Sequence, residues 1–208
     1  MVRSSCMGSD DRRHAVLAAA TRLFRHYGHA KTTMADIARE AGVGIGSVYL
    51  DFPSKDSIVE ELSLGTHRRV LDAMRAVVKK HNDFADCFIE VMGTRTACLA
   101  DLASEGEHAC ELMHCQTKSV RSVHERFQAE ERTLLRDMLE DARKGGQIDI
   151  KDARETAALV QRAFVSLAPP WVFALQKDAA VAIATDLACL LLVGVLARQQ
   201  SRARPRRR

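Results

Sequence analysis

Along most of this chain apolar side chains return every third or fourth residue, a spacing that fits helices and little else. Val16, Leu17, Ala20, Leu23, Phe24 and Tyr27 set the pattern near the start. Val120, Val123, Phe127, Leu134, Met138 and Ala142 repeat it past the middle, and Ala157, Val160, Ala163, Phe164 and Leu167 continue it. A strand-rich sandwich needs β-branched and aromatic residues in alternation, yet only 5% of the 208 residues are aromatic. The spacing predicts an all-α fold.

Caps and breakers divide the pattern into elements. The first helix is expected to start at Ser9 or Asp10, where a side-chain oxygen caps free amides, and to stop at Gly28. Thr33 caps a second from Met34 to Ala41, with Met34, Ile37, Ala38 and Ala41 on one face. Gly42-Val43-Gly44 supplies the positive φ of a tight turn, and Ile45 to Phe52 forms a third short helix. Pro53 closes that unit, Ser54 caps a long helix to about His81, and Asn82 or Asp83 caps another to about Ala103. Ser104-Glu105-Gly106-Glu107 has the spacing of a capping box and opens a short helix to about Cys115. The helix striped by Val120 to Ala142 ends at Gly145-Gly146, and the one capped by Asp152 ends at Pro169-Pro170. Ala179 to Ala197 is apolar except for Thr185 and Asp186, so this helix is expected to be buried in protein or lipid.

The net charge of +4 is an average over unlike parts. From Arg198 onward there are six arginines and no acid; without them the chain holds 25 basic against 27 acidic residues. Any basic surface for an acidic partner is therefore local. Six cysteines without a Cys-x-x-Cys spacing do not resemble a secreted disulfide framework, which points to reduced thiols and a cytoplasmic location. Arg12-Arg13 precedes an apolar run, but Arg22 and Arg25 interrupt it, so the segment reads as an amphipathic helix and not a signal.

Residues 33 to 52 have the layout of a helix-turn-helix, with a second helix short enough to present its N-terminal end to a major groove. The string from Thr32 to Asp56, TTMADIAREAGVGIGSVYLDFPSKD, resembles almost position by position the DNA-binding signature of the TetR family of bacterial transcriptional regulators. The preceding Leu23-Phe24-Arg25-His26-Tyr27-Gly28 is similar to the end of that family's first helix. The resemblance implies a helix-turn-helix domain over residues 1–57 and a helical ligand-binding and dimerisation domain over 58–198; arginines without acids, with Pro205 among them, cannot pack a core, so 199–208 is expected to be a basic disordered tail. It also implies a homodimer built from the last two helices, and a repressor released from a palindromic operator by a small-molecule effector. The seam of that dimer is expected to include Leu191 and Val195.

The residues support these roles individually. Gly46 costs about 1 kcal/mol in a helix, tolerable where backbone must approach a DNA strand, although a helix-packing contact would also account for it. Tyr49 offers a hydroxyl on a rigid arm, and Thr33 and Lys55 lie at helix starts, so all three suit phosphate contact. Those are the positions at which the family contacts the backbone. Base reading falls to Ile45, Ser47 and Leu50, through serine hydrogen bonds and aliphatic contact with thymine methyls. Two positions depart from the family: Ile45 replaces a polar or basic residue, and Asp51 replaces histidine or tyrosine. An acid beside phosphates is repulsive, so Asp51 is expected to cap, pair or face away.

In the helix after Asp83, Phe84, Phe88, Val91, Cys98 and Leu102 form one stripe, with Arg95 about 20° from Phe84. A buried cation needs a partner. Arg95 is either half of an internal salt bridge, a snorkelling side chain, or an anchor for an acidic ligand; Phe88, Val91, Arg95, Leu99 and Phe127 are the candidate effector residues. His108, Cys110, His114 and Cys115 cluster, with Cys110 and His114 on one face. One helix cannot close a tetrahedral site from them, so no metal and no cofactor is expected, and metal or thiol sensing stays an alternative.

No phosphate loop, nucleophile elbow or paired-carboxylate spacing points to an enzyme. Two other classes compete with a regulator. A membrane-associated helical protein would use Ala179 to Ala197 as a span, at a cost of about 2.5–3.5 kcal/mol for Asp186. A small-molecule carrier would leave the first 57 residues without a purpose. The expected partners are double-stranded operator DNA, a small-molecule effector and a second copy of the chain, with no membrane.

Overall fold

Helices make up the regular structure in a computed structural model of the protein, whose described residues are 8–102, 108 and 118–202. In chain order they are α1 (Ser9–Lys31), α2 (Met34–Ala41), α3 (Ile45–Asp51), α4 (Lys55–Val78), α5 (Phe84–Asp101), α6 (Lys118–Lys144), α7 (Ala153–Ala163) and α8 (Lys177–Arg202). Two 3-10 turns, Val165–Leu167 and Trp171–Ala174, lie between α7 and α8. No strand occurs among the described residues. Contacts group the chain into two units, Met1–Thr66 with Ala103–Val123, and His67–Leu102 with His124–Arg208. The boundary expected after residue 57 thus falls inside α4, whose Ile58 and Val59 belong to the first core.

In the first unit, Val16, Ala19, Ala20 and Phe24 of α1 meet Met34, Ile37 and Ala38 of α2, Val48 of α3, and Phe52, Ile58 and Val59. The helical spacing of these residues dictates which face of each helix turns inward. α1 begins at Ser9 itself, with Gly8 as its cap residue and no side-chain cap bond, so the expected oxygen cap is absent. Gly28 leaves helical geometry (φ 80°), and one more turn reaches Lys31. Ser54 does cap α4: its hydroxyl accepts from the Ser57 amide at 3.1 Å while the Ser57 hydroxyl accepts from the Ser54 amide at 3.2 Å.

In the second unit α5 is buried on nearly every side, from Phe84 through Ala100. Asp83 caps it, accepting from the Asp86 amide at 3.0 Å. Gln147, just past the Gly145-Gly146 turn, accepts from the Phe84 amide at 2.6 Å and donates to the Asn82 carbonyl at 3.1 Å. α8 runs against α5 through Ala180, Ala184, Ala188 and Leu192, a row at four-residue spacing whose small side chains let the helices approach closely. A Cβ at Gly93 would stand 4.0 Å from Val181, and Lys177 pairs with Asp101 at 2.7 Å.

Three expectations change. The helix capped by Asp152 ends at Ala163; Phe164 turns out of helical geometry (φ −92°, ψ 12°), and the prolines at 169 and 170 offer no amides to continue the ladder. On α6 the buried stripe runs through Glu131, Leu135, Met138, Leu139 and Ala142, with Leu134 only half-buried. Residues 199–202, expected to be disordered, continue α8, because Gln and Arg propagate a formed helix readily. α8 is not covered all round within one chain: Ile183, Leu190 and Val193 are exposed. The short helix expected up to Cys115 lies outside the described residues, as do Cys110, His114 and Cys115 themselves. Among the described residues no helix is long and apolar enough to cross a membrane, and no group of three or more His, Cys, Asp or Glu is placed to hold a metal.

Candidate nucleic-acid interface

The turn between α2 and α3 is fixed at both ends by local chemistry. The Thr33 hydroxyl accepts from the Asp36 amide at 3.2 Å, and the Asp36 carboxylate accepts from the Thr33 amide at 3.1 Å and its hydroxyl at 2.6 Å, a complete capping box. These bonds, the hydroxyl first, hold the Asp36 carboxyl below its ordinary value. At the other end Gly42 adopts φ +69°, and the amides of Gly42 and Val43 return to the carbonyls of Arg39 and Ala38 at 3.2 and 3.0 Å. Only glycine adopts that left-handed conformation without strain.

α3 is seven residues with one buried anchor, Val48, followed by the buried Phe52. Its outer side presents Ile45 (46% exposed), Tyr49 (51%) and Leu50 (82%) to solvent, with Ser47 half-buried beside them. A Cβ at Gly46 would meet nothing within 4 Å, so packing against another helix of the chain does not explain this glycine. Thr33, at the exposed start of α2, completes the set.

Two arginines of α1 grip the end of α3. Arg12 donates to both carboxylate oxygens of Asp51 at 2.7 and 2.9 Å, while Arg13 donates to the Asp51 carbonyl at 3.2 Å and to Glu61 at 3.0 Å. The Arg13 guanidinium also lies 4.3 Å above the centre of the Phe52 ring, a cation–π contact. The acid that departs from the family pattern therefore pairs, and the Arg12 hydrogen bonds hold its carboxyl below the ordinary 3.8. A carboxyl lowered by folding stabilises the fold above its unfolded value, and that contribution disappears as pH falls through the folded value. Asp51→Asn is thus expected to cost about 1.5–3 kcal/mol near neutral pH, the range for a charged hydrogen bond. The gap to the parent should close steadily below about pH 4, as denaturant melts at a series of pH values would register; a gap independent of pH would contradict the pairing.

Lys55 stands elsewhere than a free phosphate clamp would. Its ammonium donates to the carbonyls of His29 and Thr32 at 2.5 and 2.8 Å, satisfying the C-terminal end of α1 and tying α4 to it. His29 in turn faces Asp56 at 3.2 Å.

In the second unit the candidate effector residues Phe88, Val91, Arg95, Leu99 and Phe127 are all buried. Arg95 is ion-paired through its Nε to Glu131, itself 1% exposed, and its Nη1 donates to the Leu167 carbonyl at 3.4 Å. Gln161 of α7 donates to the second Glu131 oxygen at 2.7 Å and to the Gln128 carbonyl at 2.9 Å. Phe127 lies against His67, ring centroids 4.6 Å apart, with His124 at 5.8 Å from His67. Burial raises the Cys87 and Cys98 thiols above the ordinary 9.0. Clefts of about 370 Å³, beside Tyr27, Asp36 and Arg39, and about 200 Å³, beside His81, Phe84 and Gln147, are lined by other residues than the five effector candidates.

The comparisons with known proteins agree with this geometry. A model of the bacterial regulatory proteins of the tetR family matches residues 16–62, the span from the first buried residue of α1 into α4. The uncharacterized HTH-type transcriptional regulator YhgD of Bacillus subtilis (strain 168) is 25% identical over 167 residues, covering 78% of this chain and 85% of that protein. Residues 16–62 of this chain are similar to the DNA-binding part of the tetR family. The chain is a transcriptional regulator of TetR type. Its fold is shared well beyond the matched span. A regulator of the TetR/AcrR family from Thermobifida fusca YX-ER1 superposes with a TM-score of 0.69 at 18% identity, over 86% of this chain and 96% of that one. FadR from Bacillus subtilis, solved in complex with stearoyl-CoA, gives 0.66 at 19% identity, over 88% and 98%.

Sequence reasoning missed Arg12, Arg13, Glu131 and Gln161. For the arginines no local signal exists, since Asp51 is 39 residues from Arg12. Glu131 did leave one: it stands four residues from both Phe127 and Leu135, an acid on the apolar stripe of α6 just as Arg95 is a base on that of α5.

Proposed function

We propose that this TetR-family chain is a non-enzymatic, cytoplasmic repressor that binds a palindromic operator as a homodimer and releases it when a small molecule enters the regulatory part, residues 58–198. The exposure of Ile45, Tyr49 and Leu50 on a short helix whose Val48 is buried carries the DNA-contact reading, because isolated water gives such a surface no reason to exist. Thr33, Tyr49 and the open backbone at Gly46 contact phosphates; Ile45, Ser47 and Leu50 meet base edges and thymine methyls. Two of the three Lys55 donors are occupied, leaving one for a phosphate at the start of α4. Selection from random duplexes should enrich a two-fold symmetric site; Tyr49→Phe should weaken binding to all sequences alike, and Ser47→Ala should change the ranking of operator variants. Enrichment of no symmetric site would sink the reading.

The regulatory half takes an apolar effector, lined by Phe88, Val91, Leu99 and Phe127. Arg95 already has Glu131, so an acidic ligand group would have to displace a buried, hydrogen-bonded carboxylate. FadR from Bacillus subtilis, which shares this fold, holds stearoyl-CoA, and that supports an effector with a long apolar part here. The dimer uses the exposed apolar residues of the last two helices: Leu159 on α7, and Ile183, Leu190 and Val193 on α8.

A further inference from the structure

The cleft beside His81, Phe84 and Gln147 opens where the end of α4, the start of α5 and the last turn of α6 meet, and it holds about 200 Å³. Its floor is apolar, with Phe84, Cys87, Met138 and Ala142 each 7% exposed or less. The loop that walls it is fixed, because Gln147 accepts from the Phe84 amide and donates to the Asn82 carbonyl. An apolar cavity of about 150 Å³ holds a benzene molecule, so this one has room for a single ring with a short substituent.

Acid stands at its mouth, where Asp83 and Asp141 both line the cleft. Asp141 lies in the last turn of α6, at the negative end of the helix dipole, where a carboxylate is disfavoured. The nearest cations in sequence do not answer it, since Arg143 and Lys144 both pair with Glu140. Among the described residues the Asp141 side chain has no ion-pair or hydrogen-bond partner. His81 on the rim is turned to Glu90, at 2.7 Å. Inside, the buried Cys87 thiol also lacks a hydrogen-bond partner among the described residues. Burial raises that thiol first, and the charges of Glu90 and Asp83 raise it further, so the potential over the floor is negative.

These features select by charge and by size together. An anion is repelled, and a neutral apolar molecule leaves Asp141 unanswered, whereas a cation with a short apolar body meets both the carboxylates and the floor. Among the described residues no three titratable groups are placed as metal ligands, which leaves an organic cation. We propose that this cleft binds a small organic cation, an ammonium or guanidinium group carrying one apolar ring or short chain. The charged group bonds Asp141 and Asp83, and the body lies on Phe84, Met138 and Ala142. None of the five effector candidates lines the cleft, so a cation bound here is a second ligand, distinct from the apolar effector.

Benzylamine, protonated at neutral pH, shares its skeleton with benzyl alcohol and benzoate, so calorimetric titration of the full chain with all three reads the charge preference directly. Benzylamine should bind saturably at one site per chain, at least tenfold more tightly than benzyl alcohol, and benzoate should not bind. Asp141→Asn keeps the shape of the mouth and removes its charge; it should weaken benzylamine at least tenfold and leave benzyl alcohol unchanged. Ala142→Phe fills the floor and should abolish binding of both, with circular dichroism checking that each variant is folded. Absence of saturable benzylamine binding at millimolar concentration would overturn the site. So would equal affinity for amine and alcohol, or an Asp141→Asn chain that binds the amine like the parent. None of these outcomes bears on operator binding, which Tyr49→Phe tests by itself.

Discussion

Glu131→Ala is expected to destabilise the protein by about 3–5 kcal/mol, the cost of leaving a buried charge without its partner. Arg95 would keep only the Leu167 carbonyl at 3.4 Å, and Gln161 would lose one acceptor while keeping the Gln128 carbonyl and the Arg132 guanidinium. For a chain of this length such a loss lowers the melting temperature by roughly 6–20 °C. Removing both charges should cost far less. Arg95→Met with Glu131→Leu replaces the pair by apolar groups of similar size, an exchange that is often neutral or stabilising. Urea melts of the two variants decide the matter: if Glu131→Ala alone melts like the parent, Arg95 is not held by that carboxylate, and an acidic effector returns as the better reading.

Leu190→Arg is expected to convert the protein to monomers. Leu190 is 70% exposed in the single chain and lies between Asp186 and Val193 on the outer side of α8. Two-fold symmetry puts the new charge into the seam twice, and each copy would cost several kcal/mol if desolvated without a partner, a loss of about a thousandfold or more in dimer affinity. Sedimentation across a concentration series reads it directly. Operator binding should fall with it, because a monomer engages one half-site only. A dimer of unchanged affinity would move the interface off this face. The sequence alone points to Leu191 or Val195 for this experiment, but the Val195 side chain lies outside those described, and Leu191 is half-buried within its own chain and reports on packing as much as on assembly.

How much could be read without coordinates varies with the range of the interaction concerned. The elements from α2 to the start of α5 fall close to their expected bounds, and the caps Thr33, Ser54 and Asp83 each accept the amide three residues ahead. Caps, glycine turns and apolar periodicity act within a few residues, so the linear order contains them completely. The helix-turn-helix was legible for the same reason, down to the outward residues of α3. Asp51 marks the limit. Charge repulsion dictates that it must pair or turn away, but the choice of Arg12, 39 residues earlier, follows from how α1 crosses the end of α3.

The second unit shows the division more sharply. Period and composition by themselves determined that α5 carries one apolar stripe, that the cation in it requires an answering charge, and that α8 is too apolar to stand in water. Only the tertiary structure decided that the answer is Glu131, held in turn by Gln161, and that α8 spends its alanines on α5 while leaving Ile183, Leu190 and Val193 outward. The physical reason is that a periodic stripe fixes which residues share a face, whereas the neighbour that face meets is set by packing between segments far apart in the chain. Helix propensity works at the ends as well: it carries α8 through Arg202 where a charge-rich composition suggests disorder, because an established helix extends by one hydrogen bond per residue without paying again for nucleation.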